Sequence, residues 1–308
     1  MMAVRLLQAG PFLESFPAGF PLLICRMPPP LRSPERVSDP VRSFRRLTTW
    51  STGVWDGTLL GGWLQFASSA AQPASRAAVE RETSEWYRRY YESKGDDRSD
   101  PLRNPGVLFQ NLAFQKSVVE SLRAISIQKD WRILDVGCGG GFSLLQLATF
   151  GLDPAQLHGI DLLPDRIALG KRRFPSLQLS VGDAQALDIE DSTFDFVTES
   201  TMFIQLTDDA LASRIASEMV RVTRSGGFLM LTDWRYSFGR AGYRALSRRR
   251  VRELFQVGTQ TRLIHRTQGA LLPPIGRFLS RYAPSIYFLI ARVFPPLVGQ
   301  VTYLLEKL

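Results

Sequence analysis

A glycine-rich turn at residues 137–141 constrains the fold of this chain more than any other stretch. The apolar run before it, residues 131–136 (WRILDV), is typical of a buried strand, and the residues from 142 onward are compatible with a helix. Glycine tolerates positive φ and lets a ligand approach the backbone. The helix N-terminus beyond such a turn presents unpaired N–H groups and the positive end of a dipole. The stretch therefore predicts a strand–turn–helix unit that binds a ligand.

The spacing of the glycines separates two classes of nucleotide ligand. A dinucleotide fingerprint, G-x-G-x-x-G, would need a glycine at the position of Phe142. The chain instead has Asp135 followed by G-x-G-x-G at Gly137, Gly139 and Gly141. This pattern resembles the first motif of the class I S-adenosylmethionine (SAM) methyltransferases. SAM carries a cationic sulfonium and no pyrophosphate, so a carboxylate beside the turn suits SAM, whereas it would repel a dinucleotide.

Two further acidic residues continue the pattern at the ends of the next predicted strands. Asp161 ends the strand at 156–162, and Asp183 follows the strand that begins the stretch 176–189. An acidic residue at the end of the second strand can accept hydrogen bonds from both ribose hydroxyls, and the resemblance implies that Asp183 accepts from the adenine amino group. The predicted cofactor-binding residues are Asp135, Gly137, Cys138, Gly139, Gly141, Asp161, Leu162, Asp183, Ala184 and Glu199.

The remaining periodic segments complete an α/β fold. We predict further strands at 192–201, 228–234, 259–268 and 300–308, helices at 142–150, 164–173, 208–224 and 247–255, and a turn at Arg224-Ser225-Gly226-Gly227 before the fifth strand. The predicted fold class is α/β: a Rossmann-like, doubly wound seven-stranded sheet with an antiparallel last strand. N-terminal helices precede the sheet, and a helical insert precedes its last strand.

The chain is predicted to divide near residue 78. Residues 1–78 contain nine prolines, no lysine and no sustained period, which favours a disordered leader or a start codon assigned too early over a targeting peptide. Residues 79–308 would form the methyltransferase domain. Within it we assign residues 79–127 to N-terminal cap helices, 131–268 and 299–308 to the core sheet, and 270–298 to an apolar and basic helical insert.

The composition argues against metal and disulfide chemistry. The chain has two cysteines, Cys25 and Cys138, and two histidines, so we expect no disulfide framework and no metal site. His158, inside the second strand, is interpreted as structural. The default setting is a reduced cytoplasm, with a peripheral position at the inner membrane surface as the alternative.

The basic charge is concentrated near the C-terminus. Residues 234–308 hold 13 basic and 2 acidic residues. This asymmetry indicates an anionic partner, such as a phosphate-bearing substrate, nucleic acid or a membrane surface, or else a solvated basic face. The insert at 273–298 is interrupted by prolines and arginines and is too broken to span a bilayer. We predict two short helices that cover the acceptor pocket or lie on a membrane surface.

The acceptor is expected at the carboxyl end of the fourth strand. The resemblance places the acceptor pocket among Glu199, Ser200, Met202, Phe203 and Gln205, and the fifth strand adds Asp233, Arg235 and Tyr236 at the same edge of the sheet. A hydroxyl or amine acceptor must lose a proton. Glu199 and Asp233 are the predicted catalytic residues for this step, and His265 is a weaker candidate.

These observations predict a SAM-dependent methyltransferase that O-methylates a small-molecule, sugar or lipid-linked acceptor. The sequence is loosely similar to methyltransferases of bacterial surface-polysaccharide and glycolipid assembly. One alternative is a nucleic-acid or protein methyltransferase that binds phosphates through the arginine-rich segment 240–252. Nucleic acid is disfavoured, because the Asn/Asp-Pro-Pro-aromatic motif of base amino-methyltransferases is missing after the fourth strand. Another alternative is an inactive scaffold, against which the intact acidic residues argue.

Overall fold

A seven-stranded mixed sheet forms the centre of the protein. The computed structural model describes Glu85 and residues 100–237 and 242–308. The strands are β1 (Ile133–Val136), β2 (Leu157–Asp161), β3 (Gln178–Val181), β4 (Phe194–Ser200), β5 (Thr223–Trp234), β6 (Thr261–Gln268) and β7 (Gln300–Lys307). Their order is β3-β2-β1-β4-β5-β7-β6, and β7 runs antiparallel to both of its neighbours while the other pairs are parallel. The predicted fold class is confirmed.

Helices cover both faces of the sheet. They are α1 (Pro105–Ala124), α2 (Phe142–Thr149), α3 (Pro164–Arg173), α4 (Asp209–Val222), α5 (Arg248–Leu254), α6 (Pro273–Tyr282) and α7 (Tyr287–Val293). Helix α1 begins at Pro105, because Asn104 accepts a hydrogen bond from Gly106 N at 3.0 Å and Pro105 occupies the first turn. Of the predicted helix that would precede α1, only Glu85 is described, and it is helical.

Two apolar clusters fix the helices on the sheet. One contains α1, α2 and α3 side chains such as Leu122, Leu147 and Ile167 packed on Phe196. The other lies on the opposite face, where α4 and α5 pack on strands β1, β4 and β5. Every residue of β1 is buried, which is expected of a parallel strand covered on both faces. The carboxyl end of β1 is thereby held rigidly.

The predicted start of the fifth strand, at residue 228 after a turn at 224–227, was wrong. Strand β5 already begins at Thr223 and includes these four residues. Thr223 pairs with Phe194, and the next partners are Phe228 and Phe196, so the ladder contains a bulge on the β5 side. Gly226 adopts a φ of +68° there. The four residues are accommodated as an irregularity inside a paired strand, because the backbone returns to the same partner strand after them.

The connection from β3 to β4 leaves one part of the sheet open. Residues 182–193, all of which are described, form no helix. A cavity of about 390 Å³ lies against that face, lined by side chains that include Ser180 and Phe194. His158 also lines it and contacts the Phe194 ring edge-on at 5.3 Å. This cavity contains none of the glycine-turn residues, so it is separate from the predicted cofactor site.

The predicted insert consists of two short helices, α6 and α7, between β6 and β7. Arg235, just beyond β5, binds it: Arg235 Nε donates to Val298 O at 2.7 Å, and its guanidinium also bonds Pro295 O. Because β6 is parallel to β5, the insert begins at the carboxyl edge of the sheet. Among the described residues, no helix combines the length and apolar character needed to cross a bilayer.

Candidate cofactor and acceptor site

The glycine turn is built as its sequence predicts. Gly137, Gly139 and Gly141 have φ values of +73°, +54° and +81°, which L side chains rarely adopt. The backbone N–H groups of Gly137 and Cys138 both donate to Ile160 O, at 2.8 and 3.0 Å. These bonds bind the turn to the end of β2. They bring the first and second acidic positions of the motif to one edge of the sheet.

The turn is closed at one glycine and open at the next. A Cβ atom at Gly137 would lie 2.8 Å from Met202 Sδ, whereas a Cβ atom at Gly139 would meet nothing within 4 Å. Met202 comes from the segment after β4 that was predicted to face the acceptor. Space for a ligand therefore exists at Gly139, bordered by that segment.

Asp161 links the turn to the end of β2 through one carboxylate oxygen and binds its own following residues through the other. Its Oδ2 accepts from Gly139 N at 2.8 Å and its Oδ1 accepts from Leu163 N at 2.9 Å. Asp161 and its neighbour Leu162 are half-buried. A carboxylate oxygen has a second lone pair, so both oxygens can also accept from ligand hydroxyls, and the ribose-binding role of Asp161 stays a prediction.

Asp135 is a buried carboxyl group with an unsatisfied atom. Its side chain is 1% exposed, and its Oδ1 has no hydrogen-bond partner among the described residues. Burial, and secondarily the negative charge of Asp161, raise the pKa of Asp135 to about 8. Such a group is costly without a partner. A cationic ligand beside it would supply the missing interaction.

The other predicted cofactor residues lie in the adjoining loops. Asp183 is half-buried, and its Oδ1 accepts from Gln185 N at 2.9 Å, which fixes the loop after β3. Ala184 packs against the core. Cys138 is buried, and burial raises the pKa of its thiol. Within the described part of the chain, no three His, Cys, Asp or Glu side chains are grouped to hold a metal ion.

Glu199 is the second buried carboxyl group with an unsatisfied oxygen. It is fully buried; Oε2 accepts from Met202 N at 3.1 Å, and Oε1 has no partner among the described residues. Burial and the nearby Asp233 and Asp135 raise its pKa well above the ordinary value. The hydroxyls of the flanking Thr198 and Ser200 are also buried, and no described residue forms a hydrogen bond with them. The end of β4 therefore presents polar atoms with which a bound ligand could form hydrogen bonds.

Asp233 has a different environment from Glu199. It is fully buried, and its two oxygens accept from Ile204 N at 2.8 Å and Trp234 N at 2.6 Å. Burial raises its pKa, and the two backbone donors and Arg250 oppose that effect. These contacts position the segment after β4. The catalytic role of Asp233 stays a prediction, and its bonding supports a positioning role instead.

Arg250 is a positioning residue of the segment after β4 that sequence reasoning missed. It is 5% exposed, and its guanidinium donates to Phe203 O at 3.0 Å, Arg244 O at 2.8 Å and Leu206 O at 2.6 Å. Burial lowers its pKa. Nothing in the run Arg248-Arg249-Arg250 shows by itself which arginine is buried. Arg250 lies on the same side of the helix as the buried Val251 and Leu254, and this spacing could have identified it.

The remaining predicted residues divide between the site and other surroundings. Phe203 is fully buried and stacks edge-on against Phe255 at 5.5 Å, so it belongs to the core rather than to an acceptor surface. Gln205 is half-buried and bonds Thr201 O at 3.1 Å. Tyr236 lies under the Arg235 guanidinium. His265 is exposed on β6, a strand at the far end of the sheet from the glycine turn.

The sheet order, the antiparallel seventh strand and the acid-flanked glycine turn define a Rossmann-like fold of the methyltransferase class. Residues 133–227 match the family profile described as "Methyltransferase domain". Residues 133–227 are therefore similar to the domain of class I SAM-dependent methyltransferases, the class whose cofactor is S-adenosylmethionine.

The names of similar proteins refer to several different methyl acceptors. The chain is 34% identical over 131 residues to the demethylmenaquinone methyltransferase of Renibacterium salmoninarum, covering 42% of this chain and 52% of that protein. It is 34% identical over 177 residues to phthiotriol/phenolphthiotriol dimycocerosates methyltransferase 1 of Mycobacterium ulcerans, covering 49% and 62%. It is 32% identical over 106 residues to the 2-methyl-6-phytyl-1,4-hydroquinone methyltransferase of a Synechocystis species, covering 33% and 31%. The match spans less than two thirds of each relative.

Proposed function

We propose that this protein transfers a methyl group from SAM to a hydroxyl of an apolar small molecule or lipid-linked acceptor. The observation that carries the proposal is the pair of buried, unpartnered carboxylate oxygens, Asp135 Oδ1 and Glu199 Oε1, beside the open glycine turn. The names of the relatives support an apolar acceptor, since they refer to a menaquinone precursor, phthiotriol dimycocerosates and a phytylated hydroquinone. They give less support to the sugar acceptor that the sequence also allowed.

The described residues fit the cofactor. The open space at Gly139 admits a ligand to the backbone, and the buried Asp135 carboxyl group would ionise beside a bound cationic group. Asp161 and Asp183 lie at the ends of the next two strands, where they would bind the ribose and adenine parts. Leu162 and Ala184 adjoin them and would contact the adenosine. When bound, SAM supplies an electrophilic methyl group on a sulfonium.

The protein's own part in the reaction is alignment and proton removal. Alignment of two reactants can contribute about 7–11 kcal/mol to lowering the barrier. Met202, which borders the turn, and the polar patch at the end of β4 would orient the acceptor hydroxyl. Glu199 would accept its proton, because a carboxyl group whose pKa is raised by burial is a stronger base once ionised.

The nucleic-acid alternative loses much of its basis in the structure. Three arginines of the segment 240–252 are engaged within the chain. Arg244 pairs with Asp209, Arg249 pairs with Glu253 at 2.7 Å, and Arg250 is buried against backbone carbonyls. These side chains are occupied by intramolecular contacts, so we do not propose nucleic acid as the acceptor.

The test is methyl transfer from radiolabelled SAM by the full chain to a panel of acceptors. The panel contains a prenylated hydroquinone, a long-chain phenol, a lipid-linked sugar and total RNA. We expect label in the hydroquinone or phenol, at an oxygen, and expect Glu199→Gln to reduce turnover about 10²-fold or more with little change in SAM affinity. Label only in RNA or the sugar, or on carbon, would contradict the proposal.

A further inference from the structure

The insert between β6 and β7 exposes an unusually apolar face. Large apolar side chains that are between 37% and 67% exposed occur at Phe278, Tyr282, Ile286, Phe288, Leu289, Val293 and Phe294. On α6, Phe278 and Tyr282 lie one turn apart with ring centroids separated by 5.2 Å. On α7, Leu289 and Val293 have the same spacing. Exposed apolar side chains concentrated in one short segment are typical of an interaction site.

The same face carries only positive charge. Residues 269–299 contain no Asp or Glu. Their three arginines, Arg277, Arg281 and Arg292, are all exposed. Arg281 lies 5.5 Å from the ring centroid of Tyr282, so cation and aromatic ring occupy one patch. Long basic side chains beside exposed aromatics match a surface that is apolar inside and anionic at its rim.

The face lies at the reactive edge of the sheet. The insert follows the carboxyl end of β6, and Arg235, beyond the carboxyl end of β5, bonds its last turn through Val298 O and Pro295 O. Helix α1 continues the face, since Phe109 contacts the Tyr287 ring at 4.9 Å and Leu108 and Leu112 are about 40% exposed. The insert is therefore anchored at the carboxyl edge of the sheet, which is also the edge of Glu199 and the glycine turn.

We infer that the α6–α7 insert is a docking surface for an anionic lipid bilayer. The apolar side chains enter the headgroup boundary and the arginines bind lipid phosphates. The inference rests on the proposed function, because docking at this edge would deliver an acceptor dissolved in the bilayer directly to the methyl-transfer site. The exposed arginines and the lack of Asp and Glu at 269–299 complement an anionic membrane surface better than a neutral apolar protein surface.

The test is cosedimentation of the full chain with vesicles of phosphatidylcholine, with and without phosphatidylglycerol. We expect binding that requires phosphatidylglycerol and falls with salt. Phe278→Ser/Leu289→Ser should lower the partition coefficient about tenfold or more. The matched control is Phe150→Ser/Ile264→Ser, two changes at side chains 38% exposed outside the insert and α1, which should leave binding unchanged.

A second pair of variants tests the charge. Arg281→Gln/Arg292→Gln should weaken binding on the order of fivefold per arginine, whereas the exposed control pair Arg172→Gln/Arg173→Gln on α3 should not. Absence of vesicle binding by the full chain, or equal loss in test and control pairs, would overturn the inference. So would a stable dimer that only the Phe278/Leu289 variant dissociates. SAM titration of the same variants separates the two proposals, because unchanged SAM affinity with lost vesicle binding concerns docking alone.

Discussion

At the scale of single residues, Asp135 offers a test by pH. Its folded-state pKa of about 8 lies above the ordinary value of 3.8. Folding therefore gains from the neutral carboxyl at low pH and loses this contribution as pH rises toward 8. Asp135→Asn removes the dependence, so the variant's unfolding free energy minus that of the wild type should grow between pH 5 and pH 8, by up to about 4 kcal/mol.

Urea unfolding of both proteins at the two pH values measures this difference. A difference that stays constant across the range would contradict the assignment of a neutral, buried Asp135. Glu199 should leave a residual dependence in the variant, since its pKa is raised in the same direction.

Asp161 tests the ribose contact. Asp161→Asn keeps the side chain's shape and one carbonyl oxygen while removing the charge that would bind two hydroxyls. SAM affinity measured by calorimetry should fall by roughly 1.5–3 kcal/mol. Asp165→Asn, an exposed change four residues later on α3, is the control and should not alter affinity. Equal affinity for a folded Asp161→Asn protein would remove Asp161 from the cofactor site.

Single residues also show where sequence reasoning succeeds and where it stops. Asp135 and Asp161 lie near the carboxyl ends of β1 and β2, and Asp183 lies in the loop after β3, as predicted, because position along a parallel strand fixes the edge of the sheet. The environments of Glu199 and Asp233 could not be told apart. Their hydrogen-bond donors come from the loop 202–204 and from the next strand residue, and only the folded chain determines which oxygens remain unpaired.

At the scale of elements, the segment after β4 depends on one helix. Arg250 on α5 satisfies three carbonyls, two of them in that segment. Arg250→Met would leave these oxygens buried without donors, and should lower the unfolding free energy by about 2–4 kcal/mol. Arg252→Met, an exposed change on the same helix, should change it by less than about 0.5 kcal/mol. Thermal unfolding of both variants measures the change in unfolding free energy. Equal changes for the two variants would contradict the role of Arg250 in holding the segment after β4.

The glycine turn supports a second prediction at this scale. Gly139→Ala and Gly226→Ala both place an alanine at positive φ, near +54° and +68°, with no close neighbour. Each should cost about 1–2 kcal/mol of stability. Only Gly139→Ala should also weaken SAM binding, because its methyl group enters the open space of the turn. Matching losses of SAM affinity in calorimetry would show that strain, and not occupancy, is responsible.

Element boundaries were predicted best where they depend on local chemistry. Helix α3 begins at its proline as expected. The start of β5 was missed because Ser225-Gly226-Gly227 has the composition of a turn, while the pairing of Thr223 with Phe194 is a long-range contact. Composition indicates flexibility of the backbone, and the neighbouring strand decides whether that backbone pairs.

At the scale of the whole molecule, the structure explains why basic residues are concentrated near the C-terminus. The excess of arginine near the C-terminus is divided between intramolecular roles, as at Arg250 and Arg235, and the exposed arginines of α6 and α7. A sequence count cannot separate these roles. Because the exposed arginines lie on α6 and α7 beside apolar side chains, the structure favours a lipid surface over nucleic acid as the anionic partner.

The proposed division near residue 78 gives the last prediction. All seven strands, and the two apolar clusters of described residues, lie between Ala113 and Lys307. A truncated chain of residues 79–308 should therefore unfold at the same temperature as the full chain, within about 2 °C for a stability change below about 0.5 kcal/mol. It should also bind SAM with the same affinity. Calorimetric unfolding and SAM titration of both chains measure this. A large drop in unfolding temperature would mean that residues 1–78 complete the domain, whereas a drop in SAM affinity alone would assign them to the cofactor site.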